Sequence, residues 1–347
     1  MVRAGDGAAL LANIGGTHAR FGLALPAHAG RPRILALKQY LAADFATLTA
    51  AASRYLEEAG IEAELLRGVF AVASAVTGDL VKITNNPWTF STEAVRHDLG
   101  LSGIQVINDF CALSRALPLL GEDDVRLVGA ARARPHPPGG DATYAVVGPG
   151  TGLGVGCLAV RHGQAAVIES EGGHVSFAPN DGYEAAILER LAGRFGRVSA
   201  ERLISGAGLL NLYQAVCSIE GVPAEPGSPA DITARAAAEP AGRCGRAVDL
   251  FCELLGSFAG DVALMFGSWD GVFLAGGVVQ KILPWLLAGG FRRRFEAKGR
   301  HQSLMQAIPV RVILHSHAEL LGAAGTLGAA FGSGAAAAGP ALSELRI

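Results

Sequence analysis

The chain has 347 residues, half of them hydrophobic but only 6% aromatic, and 31 acidic against 29 basic side chains leave a net charge of −2. That length suits two domains with an aliphatic core, and the balanced charge excludes the basic footprint of a nucleic-acid binder. No apolar run reaches the roughly 18 residues of a membrane helix, no signal-peptide pattern is legible, and five scattered cysteines without a C-x-x-C pair exclude a disulfide frame or a zinc knuckle. A reduced, cytoplasmic protein is expected.

The first element is a hairpin over residues 10–25. An apolar run stops at Gly15-Gly16-Thr17 and a second begins at once. Two glycines let backbone approach something bulky and anionic, and their N–H groups with the Thr17 hydroxyl suit phosphate oxygens. An ordinary Gly-Gly turn is the competing reading. Arg33–Tyr40 adds a third strand. Asp44–Gly60 has helical spacing, with Asp44 as its cap and Gly60 as its stop. Short strands follow at 68–74 and 81–84. Ile104–Asp109 is a strand whose apolar part ends at Asn108 and Asp109, and a helix over 112–120 comes next. Strand carboxyl ends are where open α/β sheets bind ligands; Asp109 as a plain helix cap is the alternative.

The opening pattern returns at 145–159, where Gly148-Pro-Gly-Thr-Gly-Leu-Gly154 joins two apolar runs after a Pro/Gly-rich loop over 132–141. Two such hairpins suggest a duplicated architecture with a nucleotide between its halves. Gly154-Val-Gly-Cys-Leu-Ala159 fits a loose dinucleotide fingerprint, but His162-Gly163 cuts it short before any helix. Glu169, Glu171 and His174 then share one polar segment. Helices are predicted over 182–195, 208–219, 230–238 and 242–269, with Ser199 capping a turn that carries Glu201. A third glycine turn, Ala275-Gly276-Gly277, closes a strand and suits a base or ribose. Arg292–Arg294 reads as a solvated helix face. His315 and His317 sit at alternate positions of a strand, which needs no metal. A small-residue helix is expected over 318–331, and a frayed tail from Gly332.

There is no G-x-x-x-x-G-K-[ST] and no H-E-x-x-H, which excludes a P-loop and a zincin site. What remains is a nucleotide cradle, an Asn-Asp pair at a strand end and the polar set Glu171, His174 and Glu201. That set suits phosphoryl transfer to a hydroxyl, in which positioning and charge stabilisation do most of the catalysis. His174 as a core histidine and Glu201 as a first-turn helix acid are the structural alternatives.

At these positions the sequence resembles the bacterial ATP-dependent glucokinase family. The residues that carry the likeness are Ala12-Asn-Ile-Gly-Gly-Thr-His-Ala-Arg-Phe21, Val76-Thr-Gly-Asp79, Thr84–Ser91, Ile107-Asn-Asp-Phe110, Gly148–Gly154, Ser170-Glu-Gly-Gly-His174, Phe177-Ala-Pro179, Glu201–Gly206 and Ala275–Gly277. The resemblance implies an α/β protein of the two-domain actin-like (hexokinase-type, ribonuclease H-like) fold with an inter-domain cleft. Its smaller domain would be 1–110 plus about 315–347, and its larger domain 111–314. It implies Asp109 as general base for the glucose 6-hydroxyl, with Asn108, Asp109, Glu171, His174 and Glu201 on the sugar. It places ATP on Ala12, Asn13, Ile14, Gly15, Gly16, Thr17, Gly150, Thr151, Gly152, Gly276 and Gly277. Mg²⁺ would accompany the ATP, with no side chain assigned as its direct ligand, and a homodimer is implied. Asn13 stands where the family carries Asp, and His18 where it carries Asn. The lost charge weakens metal engagement, so a weakly active or non-catalytic sugar-binding relative is the second reading, and a kinase of another hexose the third. A sugar-responsive repressor would need a DNA-binding segment ahead of Leu10, where only nine residues stand.

Overall fold

The computed structural model describes residues 8–25, 31–61, 67–130, 140–225 and 227–327. Most of the loop expected at 132–141, the continuation of the last helix to Phe331 and the tail from Gly332 lie outside them. The chain divides into two compact units. The first takes the described residues through Phe70, then Val76–Val106, and those from Ala323; the second takes Ala71–Ala75 and Ile107–Gly322. These divisions fall at 106/107 and 322/323, against 110/111 and about 315 in the sequence reading.

The first unit is built on strands β1 (Ala9–Ile14), β2 (His18–Leu25), β3 (Arg33–Leu41), β4 (Arg67–Val72), β5 (Leu80–Lys82), β6 (Thr89–Ser91) and β7 (Gly103–Asn108), with helices α1 (Leu48–Ala59) and α2 (Thr92–Asp98). The main sheet runs β3-β2-β1-β4-β7, and β5 pairs with β6 alone. All six side chains of β1 are buried, so this strand is central. The β1–β2 hairpin closes through Gly15 N–H to the His18 carbonyl at 2.9 Å, so the Gly15 N–H, expected to be free, is taken. α1 begins later than predicted. Thr47, not Asp44, caps it by accepting from Ala50 N–H, while Asp44 lies in a separate 3-10 turn. Gly60 ends α1 as expected, at φ +65°. The buried face of α1 presents Tyr55, which stacks on Phe21 of β2 with ring centres 5.4 Å apart.

The second unit continues with α3 (Asp109–Ala116), β8 (Val125–Leu127), β9 (Ala142–Pro149), β10 (Leu153–Arg161), β11 (Gln164–Ser170), α4 (Gly182–Phe195), α5 (Gly206–Ile219), α6 (Pro229–Ala238), α7 (Arg243–Phe266), β12 (Gly271–Leu274), α8 (Gly277–Lys281), α9 (Leu283–Leu287), α10 (Gly290–Glu296), α11 (Gln302–Ala307), β13 (Val310–Ile313) and α12 (Ala318–Gly325). Its sheet runs β11-β10-β9-β12-β13-β8, with β12 parallel to both β9 and β13. The core lies between this sheet and helices α4–α7 and α10, and includes Val272, Leu274, Ile187, Leu212, Phe251 and Phe291. Gly154–Ala159 lies within strand β10, which turns at His162-Gly163 into β11, so no dinucleotide helix opens there. All five cysteines are free and buried.

Two expectations fail in this unit for packing reasons. Arg292 and Arg294 are not on a solvated face; both are buried. Arg292 donates to the Ile308, Met305 and Gln306 carbonyls and pairs with Glu296. Arg294 pairs at 2.5 Å with Glu184, which is itself buried. Only Arg293 of the three faces solvent. Ser199 makes no side-chain cap; Ser205 caps α5 instead, accepting from Gly208 N–H at 3.0 Å.

Candidate active site

The site in the second unit starts at α3. Asn108 caps this helix, its carbonyl oxygen accepting from Phe110 and Cys111 N–H, and its amide donates to the Ser74 carbonyl at 3.2 Å. Asp109 is therefore not the cap. It is the first residue of the helix, and capping does not consume its carboxylate. Burial is the largest cause raising its pKa to about 7, with the charges of Glu319 and Glu171 adding to it. The Phe110 N–H, which donates to the carboxylate at 2.9 Å, and the N–H of Asp109 itself oppose that rise.

α3 is held in place by close approaches. A Cβ on Gly154 would sit 2.0 Å from the Phe110 ring, and one on Gly148 2.6 Å from it. The outer glycines of Gly148–Gly154 thus make room for the side chain next to Asp109. On the other side, α12 lies against α3, where a Cβ on Gly322 would fall 1.7 Å from the Ala112 carbonyl oxygen. That packing brings Glu319, on the first turn of α12, within electrostatic reach of Asp109. Sequence reasoning missed Glu319. It stands 210 positions from Asp109, and an acid in a first helical turn has an ordinary explanation there.

The polar set expected from the sequence forms a row. His174 Nε2 lies 4.0 Å from Glu171, and its Nδ1 lies 4.0 Å from Glu201. His174 is more than half exposed, which removes the core-histidine alternative. Glu201 does sit in a 3-10 turn, but its carboxylate also accepts from Leu153 N–H at 2.9 Å. That bond ties Glu201 to the Gly150–Gly152 loop, where a Cβ on Gly152 would lie 2.5 Å from the same carboxylate. The start of α5 joins the same loop through Gly206 N–H to the Gly150 carbonyl at 2.8 Å.

Gly150 N–H is used inside the loop, bonding the Gly152 carbonyl. Among the described residues Thr151 and Gly152 N–H have no protein acceptor. Gly276 adopts φ +92° and approaches the Pro149 carbonyl, which sets Gly276 and Gly277 beside that loop, both exposed. The second unit therefore gathers Asn108, Asp109, Glu171, His174, Glu201, Gly150–Gly152 and Gly276–Gly277.

The first unit carries Ala12–Thr17. Ala12 and Ile14 are fully buried core side chains and can meet a ligand only through backbone. Asn13 is 7% exposed and its amide has no hydrogen-bond partner among the described residues. Asn86 donates to the Gly15 carbonyl at 2.9 Å, and Gly16 approaches Asn85 closely. Among the described residues Gly16 and Thr17 N–H have no backbone acceptor, and Thr17 is exposed. His315 and His317 lie beyond β13 with rings 6.5 Å apart, not on a strand. No group of three or more His, Cys, Asp or Glu among the described residues is arranged to hold a metal.

A family model described as Glucokinase matches residues 10–330. The glucokinase of Xanthomonas oryzae pv. oryzae (strain MAFF 311018) is 50% identical over 317 residues, spanning 91% of this chain and 93% of that protein. The glucokinase of Stenotrophomonas maltophilia (strain R551-3) is 48% identical with the same coverage. Among solved structures, a glucokinase from an Antarctic psychrotroph superposes with a TM-score of 0.84 at 32% identity, over 93% of this chain and 99% of that one. A ROK family glucokinase from Streptomyces griseus, in complex with glucose and AMPPNP, gives 0.58 at 18% identity over 92% and 98%, a likeness of fold alone. The two-domain, hexokinase-type α/β fold expected from the sequence is the fold of these neighbours.

Proposed function

Because the chain belongs to the glucokinase family, we propose that it transfers the γ-phosphoryl group of ATP to the 6-hydroxyl of glucose, with Asp109 taking the hydroxyl proton. The observation that carries the assignment of the base is the Asp109 carboxyl itself. It stands at the head of α3, where Asn108 is the cap and Phe110 N–H reaches the Asp109 carboxylate, with its pKa raised to about 7. A base titrating near neutral pH is ionised in much of the protein and still strong enough to accept a proton.

Glu171, His174 and Glu201 supply acceptors and a two-way imidazole for the remaining sugar hydroxyls. Asn108 has one amide N–H left for the same purpose. Within the second unit, Thr151 and Gly152 N–H would serve as donors for phosphate oxygens; the first unit by itself offers Gly16 and Thr17 N–H for the same chemistry. Gly276 and Gly277, beside the Gly150–Gly152 loop, would hold the adenosine of a nucleotide bound there. Mg²⁺ would be brought in on the phosphates and held largely through water. That ion would neutralise charge on the transferring group; Asn13 would meet its water shell through an amide.

A specific observation favours a second reading, a weakly active or non-catalytic sugar binder: Asn13 is buried and uncharged, with no hydrogen-bond partner for its amide among the described residues. A coupled assay of ADP formation with saturating Mg·ATP and a panel of hexoses separates the two. Turnover highest with glucose is the expected result. Glucose binding by calorimetry without ADP release would overturn the kinase reading in favour of the binder.

A further inference from the structure

Away from the residues above, the second unit has a cavity of about 330 Å³. It lies at the amino ends of β9, β12 and β13, whereas the glycine loops lie at the carboxyl ends of β9 and β12. Its walls are Tyr144, Trp269 and Phe273, with Leu117 and Pro118 closing one side. Arg311 is its only cationic lining residue. The guanidinium stands 5.6 Å from the centre of the Phe273 ring, and it makes no hydrogen bond or ion pair among the described residues. Burial lowers its pKa, a sign that water is partly stripped from it. A partly desolvated guanidinium with open donors, set among aromatic faces, is a receptor for a planar anion. Two carboxylates also line the cavity. Asp270 is engaged by Thr143 N–H at 2.6 Å, and Glu122 is exposed. Their charge opposes a dianion, so a monocarboxylate fits better than a phosphate ester.

We propose that this cavity is an effector site for a small aromatic monocarboxylate, held by Arg311 and the Tyr144, Trp269 and Phe273 rings. The cavity also has a path to the chemistry. Leu117 and Pro118 belong to the 3-10 turn that directly continues α3, and α3 begins at Asp109. Eight residues of helix make that link about 12 Å long. A ligand that moves the turn moves the helix carrying the base. This coupling rests on the reading of Asp109 as base; the binding does not.

Calorimetric titration with 2-naphthoate, and in parallel with 2-naphthyl phosphate, tests the binding without turnover. The expected result is saturable binding of the carboxylate, at least tenfold weaker in Arg311→Gln, partly restored in Arg311→Lys, and tighter than binding of the phosphate. Glu122→Gln, at an exposed position, should narrow the gap between the two ligands. Absence of saturable 2-naphthoate binding to the wild-type chain, or equal affinity in Arg311→Gln, would overturn the site. Tighter binding of the phosphate would overturn the assignment of ligand class. If the carboxylate binds but leaves kcat and the glucose KM unchanged in a protein whose Asp109→Asn variant is inactive, the coupling through α3 is wrong and the site is not regulatory.

Discussion

At residue 109 three environments act on one carboxyl. Burial and two neighbouring acids raise its pKa, and two backbone N–H groups partly offset them. Of the acids, Glu319 outranks Glu171 as a cause. Glu319→Gln is therefore expected to move the acid limb of kcat/KM to lower pH, which a pH series of initial rates would show. The sign also reaches stability. A carboxyl whose pKa rises from 3.8 to about 7 on folding holds its proton in the native state through that window, so the fold loses stability as pH climbs across it. Asp109→Asn removes this loss. It is expected to raise Tm at pH 8 relative to the wild-type chain while nearly abolishing activity, the usual exchange at a site built for chemistry. At residue 13 the issue is charge. An aspartate there would attract Mg²⁺ and its waters, and losing one such electrostatic contact costs roughly 10²-fold in rate. Asn13→Asp should raise turnover most at limiting Mg²⁺; an unchanged rate across a metal titration would sink that explanation.

Helix α3 and the β9–β10 hairpin form one packing unit, and here the sequence was only half legible. The motif Gly148–Gly154 reads as a phosphate turn; among the described residues only Thr151 and Gly152 of its inner positions have N–H groups without a protein acceptor, since Gly150 and Leu153 N–H are bonded. Its outer glycines have another reason, the Phe110 ring. No local pattern reveals that, because the ring and the glycines meet through tertiary packing. Gly154→Ala puts a methyl 2.0 Å from the ring. Overpacking of this kind costs about 1–3 kcal/mol, and the displaced residue adjoins the base. The expected outcome is a lower Tm together with a fall in kcat larger than the change in glucose KM. Caps were legible with similar limits. Gly60 ends α1 as read, since an αL position selects glycine. Thr47 and Asn108 displaced Asp44 and Asp109 as caps, because any of several short polar residues near a helix start can serve.

Across the molecule, apolar patterning was enough to find both hairpins, most helices and the α/β class. Partnering at long range was not. Arg292–Arg294 looks like a charge run in sequence, yet Arg294 is buried against Glu184, 110 positions away. Removing one partner of a buried pair leaves the other charge stranded, at a cost of about 3–5 kcal/mol. Arg294→Ala should therefore lower Tm steeply, whereas the exposed Arg293→Ala should lower it little; thermal scans of both check this. That Glu171, His174 and Glu201 are polar residues in nearby motifs can be read from the sequence, whereas the contribution of Glu319 on α12 to the raised Asp109 pKa cannot. The most direct measurement is the pH dependence of kcat/KM for glucose in the wild-type chain and in Asp109→Asn. The expected profile rises to a plateau through about pH 7 in the wild-type chain, and in the variant falls by roughly 10²–10⁴-fold with that limb gone. A variant that keeps wild-type turnover, or the same limb, would contradict Asp109 as the base.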